Sequence, residues 1–157
     1  MSDIISDGYT RVSWVSSISN TAAPTTTELN AGVALESYIT ADGWDNGVTT
    51  AKVDTTALNS TQNTGAAGRR EDTVKLTFKQ QGKGNAPWTT FASTPSGYLV
   101  RRSGVAASTA WASSQKITVI PCQAGFREEL APAANMVEKF AVEYIINGAV
   151  VDTAAVA

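Results

Sequence analysis

A chain of 157 residues, 43% hydrophobic and 17% charged, is sized for one domain around a single core. A formal net charge of −2 argues against a nucleic-acid reader, and the lack of any histidine removes the commonest general base and metal ligand. The one cysteine, Cys122, excludes an intramolecular disulfide framework. No apolar run approaches the roughly 18 residues of a membrane span, and the N-terminus lacks the basic flank of a signal peptide.

Taken in chain order, Arg11 to Val15 reads as a first strand with Val12 and Trp14 inward. PTTTELNAGV (Pro24–Val33) follows. Thr25 with Glu28 three residues on has the form of a capping box, but no apolar helical run succeeds it. The stretch is expected to be a structured connector with one helical turn at most. Glu28 would anchor a turn or a neighbouring subunit, and Gly32 would supply a bend. Val33 to Thr40 and Val48 to Val53 read as two further strands. Residues 43–68 are rich in Thr, Asn, Asp, Gly and Ala, with Trp44 and Leu58 as the only large hydrophobes of note. Such a stretch buries little and is expected to be an extended loop, exposed or ordered by a partner.

Thr73 to Gln80 alternates cleanly, with Val74, Leu76 and Phe78 on one face. Asn85 to Ala92 has a proline near a first helical position and Trp88 and Phe91 three residues apart, which predicts a short helix against a sheet. Tyr98 to Arg102 is a strand bracketed by Ser-Gly turns. Gly104 to Ser114 is loose, with Trp111 as its one large residue. Lys116 to Cys122 is a strand in which Pro121 belongs at an end, bulge or edge. Lys139 to Ile146 is a last clear strand ending at the Asn147-Gly148 turn, with Ala149 to Val151 as a return strand or tail. The elements add up to a mainly β fold, an antiparallel β-sandwich or barrel of about seven to eight strands with one short flanking helix.

Candidate chemistry is thin. Glu128-Glu129 are adjacent carboxylates that an extended chain turns to opposite sides, in a segment read as a loop, so they make a poor glycosidase pair. Cys122 has no histidine to activate it. Asp42, Asp45 and Asn46 resemble an ordinary turn more than a cation loop. Gly65 to Asp72 sets glycines before Arg69 and Arg70, yet a strand follows rather than a helix, and Glu71 and Asp72 offset the charge. A charged turn entering a strand, or an ion-paired edge between subunits, is the better reading. The chain is therefore read as a non-enzyme with no catalytic, cofactor or metal residues.

Four segments together resemble the major tail (tail tube) proteins of siphophages, especially those of phages infecting actinobacteria. PTTTELNAGVALESYIT is similar to that family's P-T-x-x-E-L-n-x-G-x-x-L segment. Val53 to Thr61 is similar to its V-D-x-S-x-L-x-S-T segment, with the following Gly-Arg at Gly68-Arg69. Gly97 to Arg102 resembles the G-Y-L-V-x-R strand, and Ala131 to Phe140 the P-x-x-N-x-x-x-K-F lead-in to the last strand. Together they run over roughly residues 9 to 148. Gln62 departs from the pattern, since relatives are expected to carry an aromatic there.

The resemblance implies a structural virion protein of the tail tube, made in the host cytoplasm. It would self-assemble into stacked, hexameric rings whose lumen passes genomic DNA without specific binding. Its partners would be copies of itself, the tape measure protein and the tail terminator and tip proteins, with no membrane. Residues 1–157 would form one tail tube domain, with an N-terminal arm at 1–8, the extended loop at 43–68 and a C-terminal arm at 149–157. The inter-subunit contact candidates are Glu28, Trp44, Asp54, Arg69, Arg70, Glu71, Asp72, Arg101 and Arg102. The alternatives are a receptor- or carbohydrate-binding sandwich of a tail tip, using Trp44 and Trp111 to stack on sugars, and a tail terminator or head decoration protein.

Overall fold

The computed structural model describes residues 1–157. In chain order the elements are β1 (Thr10–Val15), α1 (Thr26–Asn30), β2 (Val33–Ala34), β3 (Ile39–Asp54), β4 (Gly65–Lys79), α2 (Ala86–Thr90), β5 (Ser96–Ser103), β6 (Lys116–Glu129), β7 (Lys139–Ile146) and β8 (Val151–Ala155). Every pairing is antiparallel, in the order β2-β1-β5-β6-β7-β4-β3, with β8 also on β6. The expected mainly β antiparallel fold is borne out; α1 is a second one-turn helix beside the anticipated one.

Strand β6 joins two wings. Its first half pairs with β5 on one edge and β8 on the other, and its second half pairs with β7. Pro121 sits where β8 has ended and β7 begins. Its missing N–H therefore falls in a gap of the ladder, while its carbonyl accepts from Asn147 N at 3.2 Å. The strand thus runs through the proline to Glu129, past the end expected near Cys122. Glu128 and Glu129 accordingly stand on a strand rather than in a loop.

The wings close over a core of Val12, Trp14, Leu99, Ile120, Cys122, Val74, Leu76, Phe78, Phe140, Val142, Tyr144 and neighbours. Each such side chain contributes about 1.5–3 kcal/mol on burial. Helix α2 plugs this core as the sequence predicted. Phe91 meets Trp14 edge-on at 5.2 Å and Tyr144 at 5.5 Å, and Trp88 meets Phe140 at 5.0 Å. Burial pushes the Cys122 thiol up to about 12, which keeps it protonated and inert.

The opposite face of β1, β5 and β6 is buried as well. Val15, Val100, Ile117 and Val119 lie under Leu29 of α1, Trp111, and Ala154 and Val156 at the C-terminus. One expectation changes here. Residues 149–157 are not a free arm, because β8 pairs with β6, and its Ala154 with Val156 just beyond it completes this second core. Gly32 lies at a bend as expected, and a Cβ there would lie 2.8 Å from the Trp14 carbonyl, so close approach also calls for glycine. Residues 1–8 are exposed and outside any strand.

The loop expected at 43–68 is a ribbon. β3 and β4 pair from Trp44↔Leu76 out to Asp54↔Gly65, interrupted by a bulge at Gly68-Arg69 where a Cβ on Gly68 would lie 2.9 Å from the Ala51 carbonyl. From Asp45 to Thr73 no residue is buried. β4 pairs with β7 only from Val74 to Lys79, so the outer ten or so residues of each strand stand free of the sandwich and project about 30 Å. The strand expected over Val33 to Thr40 breaks after Ala34 and resumes at Ile39.

Candidate assembly surface

At the base of the ribbon, Arg70 grips Asp72 with a two-pronged fork, Nε and Nη2 each donating at 2.9 Å, and reaches Asp152 of β8 at 3.5 Å. The Asp72 carboxylate raises the Arg70 guanidinium further above its usual value. Within one chain, then, the ion pairs expected between subunits tie the ribbon to the C-terminal strand. Arg69 and Glu71 are exposed and make no ion pair.

At the ribbon's tip, Thr55 and Thr64 share a 3.0 Å hydroxyl contact. The Thr56 hydroxyl donates to the Thr64 carbonyl and accepts from its N–H. Asp54 accepts from Thr56 N at 2.9 Å, and the Thr56 contacts lower its carboxyl below the usual range. Leu58 stands at the corner of a turn closed by Ser60 N donating to Ala57 O, and is fully exposed at 105%. Val48 and Val53 add half-exposed apolar surface along the ribbon.

One candidate proves to be internal. Arg102 is 0% exposed. Its Nη1 donates to Ala110 O and Gln115 Oε1, and its Nη2 to Ala106 O and Thr109 O. Its guanidinium also lies 5.0 Å from the Trp111 ring. It holds the 104–115 loop and cannot reach a neighbour. Arg101 lies 5.3 Å from the ring of Trp44, which packs against the main core, and both side chains stay half-exposed.

Glu28 completes the capping box on α1. Its Oε2 accepts from Thr25 N, and its Oε1 accepts from Ser19 Oγ at 2.6 Å and Ser19 N at 2.9 Å. It anchors its own chain's turn. The Ser19 hydroxyl first, then the Thr25 and Ser19 amides, lower its carboxyl to about 2 from the ordinary 4.5. A carboxyl depressed by folding stabilises fully above its unfolded value and loses that contribution as pH falls through its folded one. The urea midpoint of Glu28→Gln is therefore expected below wild type by a constant margin above pH 4.5, the margin closing as pH falls to about 2. A margin that does not change with pH would show that the charge is immaterial.

Sequence reasoning did not assign a role to the lone Leu58, nor to a shallow apolar hollow of about 430 Å³ at the other end of the ribbon, lined by Ile39, Ala41, Met136 and Val137 with Lys79 and Lys139. The signal for Leu58 was present: one large apolar side chain in a run of hydroxyls and amides. The hollow is built from segments distant in sequence and has no local signature. No group of three or more His, Cys, Asp or Glu side chains is placed to hold a metal, and no helix is long and apolar enough to cross a membrane.

The distinguishing surface is an open strand edge and a projecting ribbon, the surface of a β-structured building block. The chain belongs to the phage tail tube protein family, whose model matches residues 1–157. It is a structural protein of the phage tail, located in the virion. Among solved structures, a chain in the cryo-EM structure of the anti-feeding prophage (AFP) baseplate, 6-fold symmetrised, is similar at 12% identity. The match covers 94% of this chain and 95% of that one with a TM-score of 0.53, a likeness of fold. Comparison with curated proteins gives no match.

Proposed function

We propose that this protein assembles with copies of itself into rings, six to a ring, that stack into the tail tube through which DNA is delivered. The observation that carries the reading is the unsatisfied strand edge. β3 is 16 residues long, against a usual five or six, and pairs on one side only. β4 likewise has no second neighbour from Gly65 to Thr73. Edges of this length are normally covered or blunted, and ring closure against copies of the chain covers them.

Arg69 and Glu71, exposed on the ribbon, are the retained candidates for contact between copies, with Trp44 and Arg101 at its root. The tape measure, terminator and tip proteins would meet the tube at its bore and ends, and DNA would pass without specific grip. The outer face of the β4–β7 wing supports this, since Lys75 is matched by Glu128 at 3.6 Å and faces Glu143 across the ladder. The sugar-binding alternative loses support because Trp111 is 5% exposed beneath Arg11 and Arg102, and Trp44 lies beneath Arg101.

Negative-stain microscopy of purified protein is expected to show tubes with a central channel. Protein that elutes as a monomer on size exclusion at all concentrations and shows neither rings nor tubes would overturn the reading.

A further inference from the structure

We propose that the tip of one copy's ribbon is a knob that seats in the hollow of a second copy, Leu58 entering between Ile39, Met136 and Val137. The inference rests on the reading of the chain as a self-assembling subunit and names the contact that stacks it. Tip and hollow lie at opposite ends of the same ribbon, since Ile39 pairs with Phe78 while Asp54 pairs with Gly65. The thirteen or so ladder positions between put them about 40 Å or more apart. One copy therefore cannot satisfy both, and joining them is a head-to-tail contact that repeats without limit.

The two surfaces suit each other in polarity and charge. The tip is held by its threonine and serine hydrogen bonds, so its one large apolar side chain is presented without much further ordering. The hollow offers apolar walls in which Met136 is 56% and Val137 59% exposed, with nothing from their own chain to cover them. Asp54 is the only charged residue from 54 to 68. At the hollow, Lys79 and Lys139 stand directly opposite each other across β4 and β7, and neither makes an ion pair. Like charges so placed repel. Asp42 at the hollow's rim accepts from the Thr40 hydroxyl at 3.0 Å and offsets one of the two lysines, so an incoming Asp54 still meets a net positive charge.

The test uses the full chain carrying both Leu58→Cys and Val137→Cys. Both positions are exposed, and the native Cys122 is buried and does not compete. Under mild oxidation the double variant is expected to give a ladder of dimers, trimers and higher species on non-reducing gels, and either single variant no ladder. Leu58→Asp should raise the concentration needed for assembly by about tenfold or more, with Leu58→Met near wild type. Tubes without a ladder overturn the contact and leave the tube reading standing. A ladder from Ile4→Cys with Val137→Cys in its place also overturns it, assigning the hollow to the N-terminal arm. A ladder without tubes supports the contact and overturns the tube, and neither at high concentration overturns both.

Discussion

Arg102→Met is expected to destabilise the monomer by about 3–5 kcal/mol, the range found when one partner of a buried charged network is removed. Methionine fills much of the volume but donates nothing. The carbonyls of Ala106, Thr109 and Ala110 and the Gln115 amide would then lose charge-assisted donors at 2.8–3.2 Å. Burial disfavours the charged guanidinium and nearby Arg11 adds to this, so the Arg102 value is lowered; the four acceptors are what make its position tenable.

The damage should spread from that point. The 104–115 loop carries Trp111, which roofs the second core over Val100, Ile117 and Val119. Urea unfolding gives the stability change, and tryptophan emission shifting to the red before the main transition reports Trp111 coming loose first. Arg102→Lys should recover only part of the loss, since an ammonium cannot reproduce a fork with two donors to each side. A neutral Arg102→Met would mean that Trp111 packing alone holds the loop.

Arg102 also shows why some of this molecule was legible in the sequence and some was not. Strands with one wet face announce themselves by alternation: Thr73 to Gln80 falls in the inner half of β4, which ends at Lys79, and Lys139 to Ile146 is β7. β5 has both faces covered, and the run Tyr98-Leu99-Val100 that leads into Arg101-Arg102 is the continuous apolar signature of such a strand. Given its weight, that signature argues against an exposed arginine at 102. Arg101, one residue away, faces the other side and ends against Trp44. What local sequence does not carry is which distant segment roofs a strand.

The ribbon failed in the opposite way. A strand exposed on both faces has no apolar–polar alternation to find, so Thr, Gly, Asn and Ala from 43 to 68 read as loop. Their β character lay in the β-branched threonines and valines of Val48 to Val53, which the sequence did offer as a strand and which pair with Ala66, Ala67 and Arg70 to Asp72 across the ladder. The capping box at Thr25 and Glu28 was legible because it is local, and α1 forms around it as a single turn. The hollow at Met136 and Val137 needed three segments to be brought together before it existed.

Removing the ribbon is expected to separate folding from assembly completely. Gly47 pairs directly with Thr73, so replacing residues 48–72 by Asn-Gly closes a two-residue hairpin at a point where the ladder is in register. No residue within the cut is buried, and the exposed Arg70 pair with Asp152 is of a kind that contributes little. The shortened chain should therefore unfold within about 4 °C of wild type and keep a β-rich circular dichroism spectrum. It should form no tubes in the electron microscope at any concentration. A shortened chain that makes normal tubes would remove the ribbon from the assembly. The physical ground is the cost of the ribbon itself. Ordering backbone costs about 1–2 kcal/mol per residue, and a two-stranded ribbon with no buried face recovers little of it alone. Val48, Val53 and Leu58 gain burial only against another molecule. The proposed ring edges and head-to-tail contact would supply that molecule, and shortening the ribbon withdraws the apolar surface on which both would depend.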